Sequence, residues 1–473
     1  MGNMRICITG AGPLSPKVYK LYRRMGVNFT QGYGMTETSP MLTLNPIHSY
    51  KAASVGKILE KISFCTRTGV TKPKHPHVLK SIIGLFTQGR TRFEEIDMIR
   101  NDSFFRDSFD LRYVPAKETI RLYLEHMISE RTLIDSEIET VVITLLKSTT
   151  LTPITIANRT YLPVDIDTSP MDNSKSHKEG VSRTYKQFDG YHPIFCYVGQ
   201  EGYMLNTELR EGKQHCQKGT PDFLKHTMDM ISKLDSKAPL LFRFDGGNDS
   251  KDILSMLDKS GHFFIVKRNL RKELSEYWLA VAQAEGTISV KNESKTVYTG
   301  VHTGKKPAQD ESFPAIDVIF EVTERHRAKD GTMLLFPEVE IETYWTNMFE
   351  NPETVIDLYH DHGTSEQFHS ELKTDMNVER LPSGKFAVNA ILLKLAMVSF
   401  NILRFIGQKA LSCTETLPYK TSSKRKRLRK VIDDLIRVAV KIVRHARQVF
   451  IRLWDKDPWL DCFRQVYSIC CNL

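Results

Sequence analysis

Three acidic stations along the 473-residue chain have the residue types and settings that phosphoryl chemistry needs. "YLPVDIDTSP" offers Asp165 and Asp167, and strand alternation puts both on one face. "PLLFRFDGG" ends an apolar run in Asp245, and the glycines after it would let a substrate backbone come close. In "YHDHGTSEQFHSELK", Tyr359, His362, Glu366, His369 and Lys373 recur at separations of three and four, one stripe of a continuous helix. Two strand-end aspartates and a helix-borne glutamate suit a pair of Mg²⁺ ions, hard cations that prefer carboxylate oxygens. Such a pair activates the attacking oxygen of a displacement and stabilises the leaving one. Each aspartate alone is also ordinary turn chemistry, and the stripe alone would serve as a salt-bridged exposed face.

The elements that must position these groups change texture along the chain. Residues 1–60 alternate strand and helix: "MRICITGAG" reads as a strand, and "SPKVYKLYRRMG" as a helix with Ser15 as cap, Pro16 in its first turn and Gly26 at its end. Residues 61–155 carry helical apolar spacing. Residues 156–272 are strand-rich, and 273–350 continue with β-branched runs that read as a β insertion. Residues 351–412 return to helix with the polar stripe, and 413–473 read as a basic helical region. The expected class is α/β with an insert, flanked by helical regions at both ends. Thr364 and Gln367 also read as a capping box, which would start the helix there and leave Tyr359 and His362 in its entry loop.

"FAVNAILLKLAMVSFNILRFI" is long enough to cross a bilayer. Asn389, Lys394, Asn401 and Arg404 interrupt it, and charge at the midplane is costly, so a buried core helix and no membrane partner are expected. Hydrophobic residues make up 41% of the chain, ample for a core. The formal charge is +10, concentrated in "KRKRLRK" from Lys424 to Lys430, which suits a polyanion or a solvated helix face. The eight cysteines form no C-x-x-C pair, and a reducing cytoplasm fits free thiols. His360, His362 and His369 lack a neighbouring fourth ligand for zinc. "VYTGVHTGKK" misses the spacing of a phosphate loop.

With these residues in view, the chain from about 61 onward resembles bacterial insertion-sequence transposases of the DDE type. It is similar to the branch with Y-x-x-R-x-x-x-E-x-x-x-x-x-x-K, reading Tyr359, His362, Glu366 and Lys373 with His in place of Arg. "VDIDTSPMDNSKSHKEGVSRTYKQFDGYHPIFCYVGQEGY", "LLFRFDGGNDS" and "SEQFHSELKTDMNVERLPSGKFAVN" resemble the regions of the three carboxylates. The resemblance implies a ribonuclease-H-like core with a mostly β insertion between the second aspartate and the glutamate. It implies two Mg²⁺ per site, with Mn²⁺ as substitute, on the catalytic carboxylates Asp167, Asp245 and Glu366, with Asp165 as alternative to Asp167. Tyr359, His362 and Lys373 would hold phosphates, although His lacks the bidentate fork of Arg. Lys178, Arg183, Lys186, Lys424, Arg425 and Arg427 would add DNA contacts. Trp278 or Trp345 would stack an extruded base, or simply fill the core. The implied partners are double-stranded DNA at transposon ends and target and a second copy in a synaptic homodimer, in a prokaryotic cytoplasm at the nucleoid.

The front of the chain has a different resemblance. "TGAGPLSP", "GYGMTETSP" and "SVGKIL" are similar to adenylate-forming enzymes such as acyl-CoA synthetases, which implies nucleotide contacts at Tyr33, Thr36 and Glu37. The remaining parts of such an enzyme are missing, so residues 1–60 are expected to be a fused relic that binds no ATP.

Overall fold

In this computed structural model, residues 75–471 are described except 103–104, 107–110, 157, 235–237, 293, 308–312, 329, 331, 438–439, 446–447 and 454–456. Before residue 75 only three strand backbones are described, Cys7–Thr9, Phe29–Met35 and Ser39–Leu44. The first two pair in parallel, and the third joins antiparallel. The helix expected over "SPKVYKLYRRMG", together with Thr36 and Glu37, lies outside the described residues.

A ten-stranded sheet organises the remainder. Its strands are β1 Arg159–Thr168, β2 Ile194–Val198, β3 Tyr203–Glu208, β4 Leu240–Phe244, β5 Phe263–Lys267, β6 Thr287–Asn292, β7 Lys295–Lys305, β8 Ile316–Arg327 and β9 Met333–Thr346. The tenth, Ile154–Ile156, pairs with the start of β1. The order across the sheet is β3-β2-β1-β4-β5-β9-β8-β7-β6. β1, β4 and β5 run parallel, while β2 and β3 are antiparallel to their neighbours. β4 is buried along its whole length between two parallel strands, which is why "LLFRF" is near-continuously apolar. The antiparallel insert β6–β9 is no separate sheet. It joins the core where Ile265, Val266 and Lys267 pair with Thr346, Trp345 and Tyr344.

Helices cover the sheet. α1 (His75–Phe86), α2 (Lys117–His126) and α3 (Arg131–Lys147) precede it. α4 (Thr220–Ser232) and α5 (Lys251–Ser260) flank β4, and α6 (Ser275–Glu285) opens the insert. Ser250 caps α5 by accepting from the Ile253 N–H, and Gly261 ends it with φ of 70°. α7 (Pro352–Asp361) and α8 (Thr364–Ser370) are followed by a wide π-type turn over Glu371–Asp375 and by α9 (Phe386–Ser412).

Among the described residues α9 is the one helix long and apolar enough to cross a membrane. It lies against β3, α1 and α3, and the polar side chains that interrupt it have partners. Asn389 bonds Ser383 and Tyr191, Lys394 meets Asp135 at 2.9 Å, Asn401 bonds both backbone groups of Met204, and Arg404 pairs with Glu371.

Two expectations change. The capping box does not form: Thr364 Oγ1 donates back to the Asp361 carbonyl, and Gly363 is itself helical at φ −56°. A helix nevertheless starts at Thr364, so the stripe is broken between α7, which carries Tyr359, and α8, which carries Glu366 and His369. Nor is the tail one basic helix. Helical turns over Leu428–Ile436 give way to a hairpin of Val440–His445 with Gln448–Leu453, before α10 (Leu460–Cys471). Val and Ile recur through that hairpin, and β-branched residues fit a pleated ladder. The strand Ser39–Leu44 lies against α10.

Candidate active site

Alternation along β1 turns Asp165 and Asp167 to one face, yet their surroundings differ completely. Asp165 is buried opposite Arg243 of β4, in register across the parallel ladder. Arg243 donates Nε to Oδ1 at 2.6 Å and Nη2 to Oδ2 at 2.8 Å, a bidentate fork. The His362 Nδ1 adds a contact of 2.9 Å, and Arg243 Nη1 reaches the Leu358 carbonyl at 2.7 Å and Asp361 at 3.2 Å. Burial pushes the Asp165 carboxyl up, but Arg243 and His362 overcome this and hold it at about 2. Both its oxygens are committed to bracing β1, β4 and α7.

Asp167, two residues on, is 17% exposed. Its Oδ1 accepts from the Thr168 N–H at 2.7 Å, and its Oδ2 lies 3.2 Å from Nε2 of His369. Nδ1 of that imidazole meets the Tyr197 hydroxyl at 3.1 Å. Asp245 leaves the end of β4 and accepts from Asn248 Nδ2 at 2.7 Å. Its carboxyl is raised by burial and by the negative charge of Asp167, so the two form a like-charged pair. The buried Asn248 Oδ1 has no hydrogen-bond partner.

Glu366 stands on α8 one turn before His369, exposed, and its carboxylate makes no hydrogen bond or ion pair among the described residues. Its charge reaches the same space all the same. The Tyr185 hydroxyl is pushed up to about 12 by burial and then by Asp167, Asp245, Cys216 and Glu366. Tyr185 rises from the turn between short strands at Ser182–Arg183 and Asp189–Tyr191, with its ring 5.3 Å from that of His192. His192 Nε2 in turn lies 2.9 Å from the Thr168 hydroxyl. Among the described residues no three His, Cys, Asp or Glu side chains close into a metal-holding group.

The other residues singled out in the sequence divide in two. Lys373 donates to the Pro170 carbonyl at 2.7 Å, and burial lowers it to about 8 beside Lys186 and Asp167. Tyr359 packs its ring 4.7 Å from that of Tyr344, and burial followed by Asp245 and Asp167 pushes its hydroxyl up. Lys186 is exposed beside the Tyr185 ring. The charges of Asp167 and Asp245 act on Tyr359, and that of Asp167 on Lys373. His362 is instead buried against Asp165. Lys178 ties Asn173 to the Leu381 carbonyl, and Arg183 pairs with Asp189. Arg427 forks onto Asp375 at 2.9 and 3.1 Å, Arg425 bonds Gln367 over the Phe368 ring, and Lys424 reaches Gln200. Those cations hold the fold. Trp278 and Trp345 are buried, donating to Glu273 and Asp249. Tyr33 is described only as strand backbone.

Sequence reasoning passed over Arg243 and Tyr185. Arg243 had a signal: a guanidinium inside "LLFRF" has to meet a buried anion. Tyr185 had none, because only the folding of its turn over the end of β1 brings it here.

Two families match the sequence. The one described as transposase DDE domain group 1 matches residues 66–473, and AMP-binding enzyme matches residues 1–73. No curated protein matches the chain. Among solved structures, the piggyBac transposase synaptic complex with hairpin DNA, determined by cryo-EM, is similar at 9% identity and TM-score 0.40. The likeness covers 78% of this chain and 72% of that one.

Proposed function

The chain belongs to the transposase DDE domain group 1 family, with an AMP-binding fragment at its front, and on that premise we propose that it cuts and joins DNA at insertion-sequence ends. Asp167, Asp245 and Glu366 are the carboxylates of this reading, on a core of ribonuclease-H-like order, β3-β2-β1-β4-β5. The observation that carries it is the like-charged pair of Asp167 and Asp245 at the ends of adjacent parallel strands.

The family works with divalent metal, and the residues suit a hard cation. Two carboxylates repel each other there, and the unpartnered Asn248 Oδ1 offers a further oxygen. Mg²⁺ or Mn²⁺, two per site, would supply charge neutralisation and an activated hydroxyl. The chain's own groups do the rest. The Asp165–Arg243–His362 brace fixes β1 against β4, and His369 orients Asp167. Lys373, Lys186 and Tyr359 would meet the phosphate, and Glu366, one turn before His369, would complete the carboxylate set. Water first breaks the phosphodiester and frees a 3′-hydroxyl, which then attacks target DNA and expels a new 3′-hydroxyl. A homodimer would synapse two ends at the nucleoid of a prokaryotic cytoplasm.

A second reading, DNA binding without cleavage, draws on His362 being spent on Asp165 and on no three acidic, His or Cys side chains closing into a metal-holding group among the described residues. Labelled end duplex with Mg²⁺ separates the two. Cleavage by the natural chain that vanishes in Asp245→Ala, with binding kept, is the expected result. Retention in a gel without any nick would favour the second reading.

A further inference from the structure

Tyr185 stands near the end of β1 on a turn whose own bonds hold it there. The turn joins Ser182–Arg183 to Asp189–Tyr191, and the second of these also pairs with Met171–Asp172. A Cβ added at Gly190 would fall 2.0 Å from the Met171 carbonyl oxygen, so these strands are in close contact. The Thr184 N–H donates to the Phe188 carbonyl at 2.9 Å, and the Gln187 N–H donates to that of Thr184 at 3.1 Å. Gln187 closes the hairpin in the left-handed region, at φ 65°. Next to the turn, His192 is buried with Nδ1 3.0 Å from the Gln214 carbonyl. A carbonyl only accepts, so the proton sits on Nδ1, and Nε2 accepts from the Thr168 hydroxyl at 2.9 Å. The Tyr185 ring lies 5.3 Å from this fixed imidazole, which thereby links it to the residue after Asp167.

The side chain offers its hydroxyl rather than its ring. Lys186 Nζ lies 5.9 Å from the ring centre, and the His192 imidazole borders the ring as well. Tyr185 is nevertheless 62% exposed, and its hydroxyl makes no hydrogen bond among the described residues. The charges of Asp167, Asp245 and Glu366 all act on that hydroxyl, and with burial they keep it protonated. A phenol that stays neutral donates without adding negative charge where a phosphodiester must approach. The ionised oxygens of the phosphodiester are the stronger kind of acceptor for it.

We propose that the Tyr185 hydroxyl donates to a non-bridging oxygen of the scissile phosphate, an inference that rests on the transposase reading. The phenol makes and breaks no covalent bond; it holds the phosphate while water attacks. Tyr185→Phe keeps the ring and the turn and deletes only the donor. With the full chain and saturating labelled end duplex in Mg²⁺, its cleavage rate should fall roughly 10- to 100-fold. Duplex binding and the thermal midpoint should not move. The same pair of proteins is then given end duplex with a phosphorothioate at the scissile position, one diastereomer at a time, in the softer Mn²⁺. Sulfur accepts poorly, so the ratio of natural to variant rate should shrink toward one for a single diastereomer and persist for the other. A natural rate in Tyr185→Phe overturns the proposal, as does weakened duplex binding. A ratio that is the same for oxygen and for both sulfur diastereomers overturns it too. Cutting by the natural chain with an indifferent Tyr185 sinks this contact alone, whereas no cutting by the natural chain sinks the function and the contact with it.

Discussion

Arg243 shows how one side chain separates two aspartates that the sequence leaves equivalent. "DID" puts both on one face, and alternation has nothing more to say. The choice is made across the sheet, where the guanidinium sits in register with Asp165 and saturates it. Removing one partner of a buried pair strands the other, so Arg243→Ala should lose about 3–5 kcal/mol in a denaturant melt. The pH dependence has a definite sign. Asp165 is lowered from 3.8 to about 2, so its contribution is complete above pH 3.8 and disappears as pH falls through about 2. It amounts to roughly 2 kcal/mol. Stability curves of the natural chain and Asp165→Asn should differ in slope across that window and run parallel above it. His362 is the counter-lesson. Its place in the motif was readable, but its commitment to Asp165 depends on how α7 ends, a tertiary fact.

At the scale of elements, strands ending in acids and a buried apolar helix were legible because period and composition agree. The interrupting residues of α9 were readable as costly in a membrane, though their partners were not. Asn401 is the telling case. Its amide accepts from the Met204 N–H at 2.8 Å and donates to the Met204 carbonyl at 2.7 Å, sealing β3 where its pairing with β2 shifts register. Asn401→Leu would leave both backbone groups buried and unpaired, at about 1–3 kcal/mol each. A matching fall in the thermal midpoint, with cleavage retained at low temperature, is the expected outcome. The tail misled because Lys and Arg fit a helix face and a hairpin equally well. The decisive signal was the β-branched content after Arg437, against a charge pattern that drew attention to helix.

At the scale of the molecule, two unrelated resemblances in one chain were visible in the motifs, and both families match. A chain shortened to begin at residue 66 should therefore cut end duplex at the rate of the full chain, and neither should exchange pyrophosphate into ATP. Exchange by the full chain would show the front segment to be a working enzyme. What the motifs did not disclose is that the insert continues the core sheet, since pairing between β5 and β9 spans a long stretch of sequence. That seam has three rungs. Where so few pairs join insert to core, Asp249 adds a clasp, accepting from the Trp345 indole at 3.0 Å.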